Sequence, residues 1–307
     1  MKHDIAGDPV TGVKWSRRAT RKIAGELTTL GIAVSKNTVG RLLKKMDFKL
    51  RVNRKQIAST QHPDRNPQFL YIAAQREKYA AQGIPVISVD AKKKELVGNF
   101  KNAGAKWDRQ PVAVLDHDFR SQAQGLATPY GIYDTQANRG TVFVGLDHDT
   151  PAFAVDAIAH WWRLEGSQAY PGAGELYILA DGGGSNSSRC RAWRKAIRDS
   201  LCTPFGITVT VSHYPPGTSK WNPIEHRLFS QISSNWAGEP LTDINKMLNF
   251  IRTTKTTTGL AVSAYLLPGE YETGVKISDA QMKELNLETH PTFGCWNYTL
   301  RPPQNVN

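Results

Sequence analysis

LYILADGGGSN, residues 176–186, is the stretch from which the architecture can be read. Residues 176–180 are a short apolar run of the kind that is buried inside a sheet. The run ends on Asp181, and Gly182, Gly183 and Gly184 follow, which permit a sharp turn and close approach of backbone to a ligand. Toward the C-terminus, 187–200 reads as a basic helix, 207–212 (ITVTVS) as a strand and 223–236 (PIEHRLFSQISSNW) as a helix. Toward the N-terminus, 152–164 (AFAVDAIAHWWRL) is helical, with Phe153, Ala157 and Trp161 four apart, and 141–146 (TVFVGL) is a strand. Weaker strands are expected at 94–100 and 111–116, and 85–90 (PVISVD) is a second buried strand that ends on an acid, Asp90. Early strands followed by alternating helix and strand describe an α/β mixed sheet flanked by helices.

Ahead of this body the chain changes character. Of the net charge of +12, residues 1–60 carry +10, with 14 Lys and Arg against 4 Asp and Glu. Within that segment, 16–30 places Ile23, Leu27 and Leu30 at helical spacing, and Gly31 follows where a helix end favours a left-handed residue. Ser35 is placed to cap a second helix, SKNTVGRLLKKM, whose apolar stripe is Val39, Leu42, Leu43 and Met46. Lys36, Asn37, Thr38, Arg41, Lys44 and Lys45 occupy its other faces. Two short helices joined by a tight turn, the second one basic, outline a small all-α helix-turn-helix module that binds DNA. A plain helical hairpin with a solvated charged surface is the alternative. The expected organisation is this module over 1–50, a basic linker and helix over 51–84 (the polar stretch 51–66, then a helix over 67–82), the mixed-sheet domain over 85–251 and a C-terminal extension packed on it over 252–307.

Composition narrows the function classes. No apolar stretch is long enough for a membrane span, the N-terminus has no signal-peptide core, and three cysteines without CxxC spacing argue against structural zinc and a disulfide framework. An intracellular, reducing compartment is expected.

The acids carry the chemistry. Asp90 continues a buried strand, which is costly unless the carboxylate is paired or metal-bound; pairing with Lys92, Lys93 or Lys94 is the ordinary reading. Asp181 could be a simple turn residue. Asn222, Pro223 and Glu225 fit the N-cap, N1 and N3 positions of a capping box, which would make Glu225 a local stabiliser. The same position aims Glu225 from the first helical turn toward a neighbouring strand end. Asp116, Asp118, Asp147 and Asp149 are also present, so spacing alone does not choose a set.

ISVDAKKKELVGNFKNAGAKW (87–107), PYGIYD (129–134), LADGGGSNSSR (179–189), HYPPGTSKWNPIEHRLFSQIS (213–233) and WNYTLRP (296–302) together resemble the ISAzo-type family of insertion-sequence transposases, within the wider DDE group. The resemblance covers nearly the whole chain from Gly7 onward. It implies a ribonuclease H-like fold, with which the order of elements is compatible, and it puts the family's catalytic, metal-binding acids on Asp90, Asp181 and Glu225. Family members usually carry a further helical region upstream of the segment resembling GDPVTGVKW (7–15), so the DNA-binding module is expected to be truncated. The implied activity is metal-dependent strand cleavage and strand transfer with two Mg²⁺ or Mn²⁺ ions. The implied partner is double-stranded DNA, as transposon terminal repeats and target, handled by a homo-oligomer. His213 and His226 could touch the scissile phosphate, Trp221 could stack on a base, and Lys92, Lys93, Lys94 and Lys220 could meet phosphates. The rival readings are a ribonuclease H-like metal nuclease without strand transfer and a catalytically silent helix-turn-helix regulator.

Overall fold

In the computed structural model, which describes residues 5–7, 14–16, 19–48 and 62–303, the chain divides into two units, Met1–Ala58 and Ser59–Asn307. Much of the stretch expected as a linker, 51–66, falls outside the described residues. The first unit holds an antiparallel pair, β1 (Ile5–Gly7) and β2 (Lys14–Ser16), and two helices, α1 (Thr20–Thr29) and α2 (Lys36–Lys45). It is therefore not purely helical. Gly31 ends α1 with φ of 83°, and the N–H groups of Gly31 and Ile32 return to Thr28 O and Leu27 O. Those two bonds satisfy carbonyls that the helix leaves free. The Ser35 hydroxyl accepts from Thr38 N at 3.1 Å and starts α2, as the sequence predicts. Ile23, Ala24 and Val39 are buried where the helices meet, with Leu27, Val34 and Leu43 packed around them. Leu42 and Met46, expected in the apolar stripe, are exposed, as is Leu30. Two short helices share one narrow seam: it covers Val39 and Leu43, whereas Leu42 turns off its side and Met46 lies past the helix end.

The second unit opens with α3 (Arg65–Ala81), then β3 (Val86–Ala91), β4 (Glu95–Val97), β5 (Gly125–Asp134) and β6 (Arg139–Gly145). Next come α4 (Pro151–Trp161, extended by a π-helical turn at Trp162–Gly166), β7 (Glu175–Ala180), α5 (Arg191–Ile197, extended likewise at Arg198–Cys202) and β8 (Thr208–His213). The chain closes with α6 (π-helical over Glu225–Phe229, α-helical over Ser230–Asn235), α7 (Ile244–Arg252), β9 (Ala261–Leu266), α8 (Asp279–Lys283), β10 (Leu287–Thr289) and β11 (Asn297–Leu300).

Among the described residues these strands form one nine-stranded mixed sheet in the order β10-β11-β8-β7-β3-β5-β6-β9, with β4 paired to β5. At its centre, β6, β5 and β3 run antiparallel in turn, while β3, β7 and β8 run parallel. That order and those directions are the ribonuclease H-like arrangement. Residues beyond 251 supply three strands: β9 extends one edge beside β6, and β11 and β10 extend the other beside β8. No helix among the described residues is long and apolar enough to cross a membrane.

Alternation along the strands sorts the core into two faces. Ile87 and Val89 of β3 and Leu176, Ile178 and Ala180 of β7 pack with α4 and α5 residues such as Ile158 and Trp193. On the other face Val86, Tyr177 and Leu179 pack against Ile72 and Tyr79 of α3. Farther along that face Tyr133, Val142 and Val144 pack against Leu228, Phe229 and Met247 of α6 and α7.

Two strand expectations need correction. Residues 111–116 form no strand, and the ten-residue β5, flanked by β3 and β6, was not anticipated because GLATPYGIYD contains two glycines and a proline. Pro129, which lacks an N–H, sits where β5 passes from its pairing with β4 to its pairing with β3, and its carbonyl accepts from Lys92 N at 2.8 Å. Gly131 stands opposite Asp90, where a Cβ would come within 2.5 Å of the Phe229 ring and 2.8 Å of Ile224 Cδ1. Phe229 and Ile224 are both buried and have little room to retreat. The bare backbone of Gly131 thus lets the helix bearing Glu225 lie close over β5, next to Asp90. Gly131→Ala is expected to destabilise the protein by about 1–3 kcal/mol through overpacking, read as a lower urea midpoint. An unchanged midpoint would show that the helix is not seated there.

Candidate active site

Strand register brings the first two acids together. Val89 of β3 pairs in parallel with Ala180 of β7, so the next residues, Asp90 and Asp181, stand at neighbouring strand ends. Alternation puts Asp90 on the sheet face opposite Ile87 and Val89, the face on which α3 and α6 pack.

Glu225 is delivered by a side-chain lock. Ser88, two residues before Asp90 and so on its face, donates its hydroxyl to Asn222 Oδ1, while Ser88 Oγ accepts from Ile224 N at 3.1 Å. Asn222 Nδ2 donates to Val89 O at 3.2 Å, and Ser88 and Asn222 are both fully buried. Asn222 therefore does not cap its own helix: Glu225 N bonds the Asn222 backbone carbonyl, and the amide side chain fastens the start of α6 to β3. The expected Asn222–Glu225 capping box gives way because the strand offers the Asn side chain buried partners for both its donor and its acceptor.

The acids act on one another. Asp90 is 8% exposed; burial pushes its carboxyl up to about 8, and Asp181, Glu225 and Asp149 add to the push against the backbone N–H of Ala91. Asp181 is raised to about 6 by burial, then by Glu225 and Asp149, while the Gly183 N–H opposes. Burial raises Glu225 as well, held back by His226, by Lys92 and by a hydrogen bond with Asp90. Among the described residues Asp90 has no lysine partner: Lys92 pairs with Glu95 at 2.6 Å and lies 4.7 Å over the Trp236 ring. Among the described residues no three His, Cys, Asp or Glu side chains stand at the spacing that encloses one ion.

Asp149, just before α4, is a fourth acid of this neighbourhood, and no strand-end or motif signal singles it out among the acids of the sequence. Its charge reaches Asp90, Asp181 and the buried Tyr130, and its Oδ1 is buried without a hydrogen-bond partner. Tyr130 donates to Asn186 Oδ1 at 2.9 Å, tying the turn after Asp181 to β5.

The supporting residues divide. His213 is fully buried and cannot meet a phosphate: Nδ1 bonds Asp181 O at 2.9 Å and Nε2 lies 3.0 Å from the Tyr298 hydroxyl. Desolvation lowers its pKa to about 4. His226 is exposed and bonds the Lys220 carbonyl. Lys220 is exposed 5.3 Å over the Trp221 ring, and Trp221 is 53% exposed. Lys93 and Lys94 are exposed, whereas Lys92 is occupied as described. In the other unit Lys36, Asn37, Arg41, Lys44 and Lys45 are exposed on α2, and Thr38 is half-buried with its hydroxyl 3.0 Å from that of Ser35.

Strand order and the acids at its open end define a protein of the ribonuclease H-like class. A family model described as the Rhodopirellula transposase DDE domain matches residues 1–302, and the chain belongs to that family of insertion-sequence DDE transposases. Among solved structures, the Mos1 transposase paired-end complex with left transposon end is similar at 15% identity over 76% of this chain and 65% of that one, with a TM-score of 0.45. The Mos1 strand transfer complex matches at 15% identity over 76% and 64%, also with a TM-score of 0.45. The chain thus spans under two thirds of the length of these Mos1 chains. No curated protein matches it.

A carboxyl whose native pKa lies above its unfolded value binds more protons in the folded state, so stability falls as pH rises between the two values. For Asp90 that window runs from 3.8 to about 8. In metal-free buffer the thermal midpoint should therefore fall between about pH 5 and about pH 8, and Asp90→Asn should flatten the fall. Parallel profiles for wild type and variant would show that Asp90 is not strained by its neighbours.

Proposed function

We propose that this transposase cuts DNA at insertion-sequence ends and joins the freed 3′-hydroxyl to target DNA, with Asp90, Asp181 and Glu225 holding a pair of Mg²⁺ or Mn²⁺ ions. One observation supports this above the rest. Acids 91 and 44 positions apart in sequence are brought by strand register and the Ser88–Asn222 lock to one end of the sheet, where burial raises all three carboxyls and neighbouring acids add to the rise at Asp90 and Asp181. Carboxylates are the hard oxygen donors that such cations favour. The partnerless buried oxygen of Asp149 beside them fits the same ligand. Divalent ions bound there would supply activation of the attacking oxygen and neutralisation of the leaving one.

The chain's own residues do the rest. Asp90 and Asp181 present adjacent ligands from strand ends, and Glu225 closes over them from α6. Exposed Lys93 and Lys94 lie beyond the strand that Asp90 helps to end and are placed to neutralise DNA phosphates. The exposed face of α2, with Lys36, Asn37, Arg41, Lys44 and Lys45, enters the major groove of the terminal repeat, with Thr38 beside them. Two ends must be cut and joined together, so the working form is a homo-oligomer on DNA, at the bacterial nucleoid in the cytoplasm.

Incubation with DNA carrying the element's ends and Mn²⁺ tests this. Nicks at the ends and joined products are expected. Nicks without joining would favour a nuclease, and no nicks a silent regulator. Asp90→Asn, Asp181→Asn and Glu225→Gln should each lower cleavage about a hundredfold or more while leaving duplex binding within a few-fold. A variant that cuts normally would remove its residue from the site. Separately, Arg41→Ala should weaken discrimination between end and random DNA by about 1–3 kcal/mol if it reads a base. Lys44→Ala should weaken both alike and lower the salt slope by about one. Unchanged binding in both variants would take α2 out of the groove.

A further inference from the structure

We propose that His213 is a positioning residue for Asp181, and that a one-way chain of hydrogen bonds from Trp193 through Tyr298 and His213 holds the Asp181 carbonyl. The inference rests on the reading of Asp181 as a metal-holding residue.

The chain is fully specified by its partners. Asp181 O is a carbonyl and can only accept, so His213 Nδ1, 2.9 Å away, carries the hydrogen. His213 is wholly buried, which favours the neutral ring, so Nε2 is bare and accepts. Tyr298 OH, 3.0 Å from Nε2, is then the donor. Its oxygen in turn accepts from Trp193 Nε1 at 2.9 Å. Each group gives one hydrogen and takes one where it can, and Trp193, Tyr298 and His213 are all fully buried.

The His213 backbone is also held in place. Gln68 of α3 donates to His213 O at 3.0 Å and to Asn297 Oδ1 at 2.9 Å, and Asn297 Nδ2 returns a bond to Gln68 Oε1 at 2.8 Å. His213 N donates to Trp296 O at 2.9 Å. Helix α3 thus holds the His213 backbone, while Tyr298 of β11 meets its ring. The Arg194 guanidinium covers the Tyr298 ring at 4.7 Å.

Asp181 needs such an anchor. It lies one residue past the end of β7, and Gly182, Gly183 and Gly184 behind it have no side chains to hold the turn. Fixing its carbonyl fixes the peptide plane on the C-terminal side of its Cα and so limits where the carboxylate points. Supports of this kind typically change metal affinity or activity by about 10–100-fold when removed.

The test compares His213→Asn, whose amide nitrogen stands where Nδ1 stood and still donates to Asp181 O, with His213→Leu, which cannot. In the full-length protein, Mn²⁺ affinity is measured by calorimetry, and kcat and KM are measured on end DNA. His213→Leu should bind Mn²⁺ about tenfold or more weakly and lose kcat with KM for DNA unchanged. His213→Asn should recover to within a few-fold of wild type. Equal impairment of the two variants, or wild-type Mn²⁺ affinity in His213→Leu, overturns the proposal. Asp181→Asn is run alongside: if it binds Mn²⁺ like wild type, the metal reading itself fails and the anchor has nothing to position. Should His213→Leu not fold, ¹⁵N NMR of the wild-type imidazole decides, with a protonated Nδ1 and a bare Nε2 expected and the opposite tautomer or a doubly protonated ring overturning the chain.

Discussion

Two aspartates at the ends of neighbouring parallel strands repel each other, and much of this body is arranged to keep them there. The Val89–Ala180 register fixes their spacing through backbone hydrogen bonds, which do not yield to the charge they bring together. Around that pair the sequence supplies small, specific fastenings. Gly131 lets α6 approach, the Ser88–Asn222 bonds tie its start to β3, and Tyr130 holds the turn beyond Asp181 through Asn186. The unfavourable electrostatics are local; the apolar clusters on both faces of the sheet provide the stability against which they are set.

Much of this was legible in the sequence, and the rest was hidden for physical reasons. Asp90 stood out because an apolar strand that ends on an acid is costly unless the acid has a partner, whereas Asp181, readable as a simple turn residue, was singled out only by the family resemblance. Glu225 could be placed in a first helical turn, but not over β3. Whether Asn222 serves its own helix or a strand 134 residues away depends on the tertiary fold, and buried partners won. Strand β5 was lost because glycine and proline are read as breakers. Here Gly131 makes room for a helix and Pro129 falls where no N–H is required. His213, in a Pro-rich stretch beside the acids, had the look of a phosphate contact. It is buried because Tyr298, 85 residues later, returns on β11 to cover it. Asp149 was one acid among several, and only its closeness to the pair distinguishes it.

The basic unit shows the opposite balance. Its helix ends were readable from Gly31 and Ser35 because capping is a local event, whereas its apolar stripe was overdrawn because burial depends on how much surface a second helix covers. The tail runs the other way again. Residues 252–307 lack strong periodicity, yet they contribute β9 to one edge and β11 and β10 to the other, with Tyr298 and Leu300 fully buried. A strand covered by its neighbours needs apolar residues at only a few positions, too few for a periodic signal.

A shared metal centre can be located without relying on activity. Fe²⁺ substituted for Mg²⁺, with ascorbate and peroxide, generates hydroxyl radicals that cut the polypeptide next to the bound ion. Cuts clustered near residues 90, 181 and 225, and suppressed by added Mg²⁺, are expected if Asp90, Asp181 and Glu225 hold the same ions. Cuts at other positions, or cuts at only one of the three, would contradict a common site.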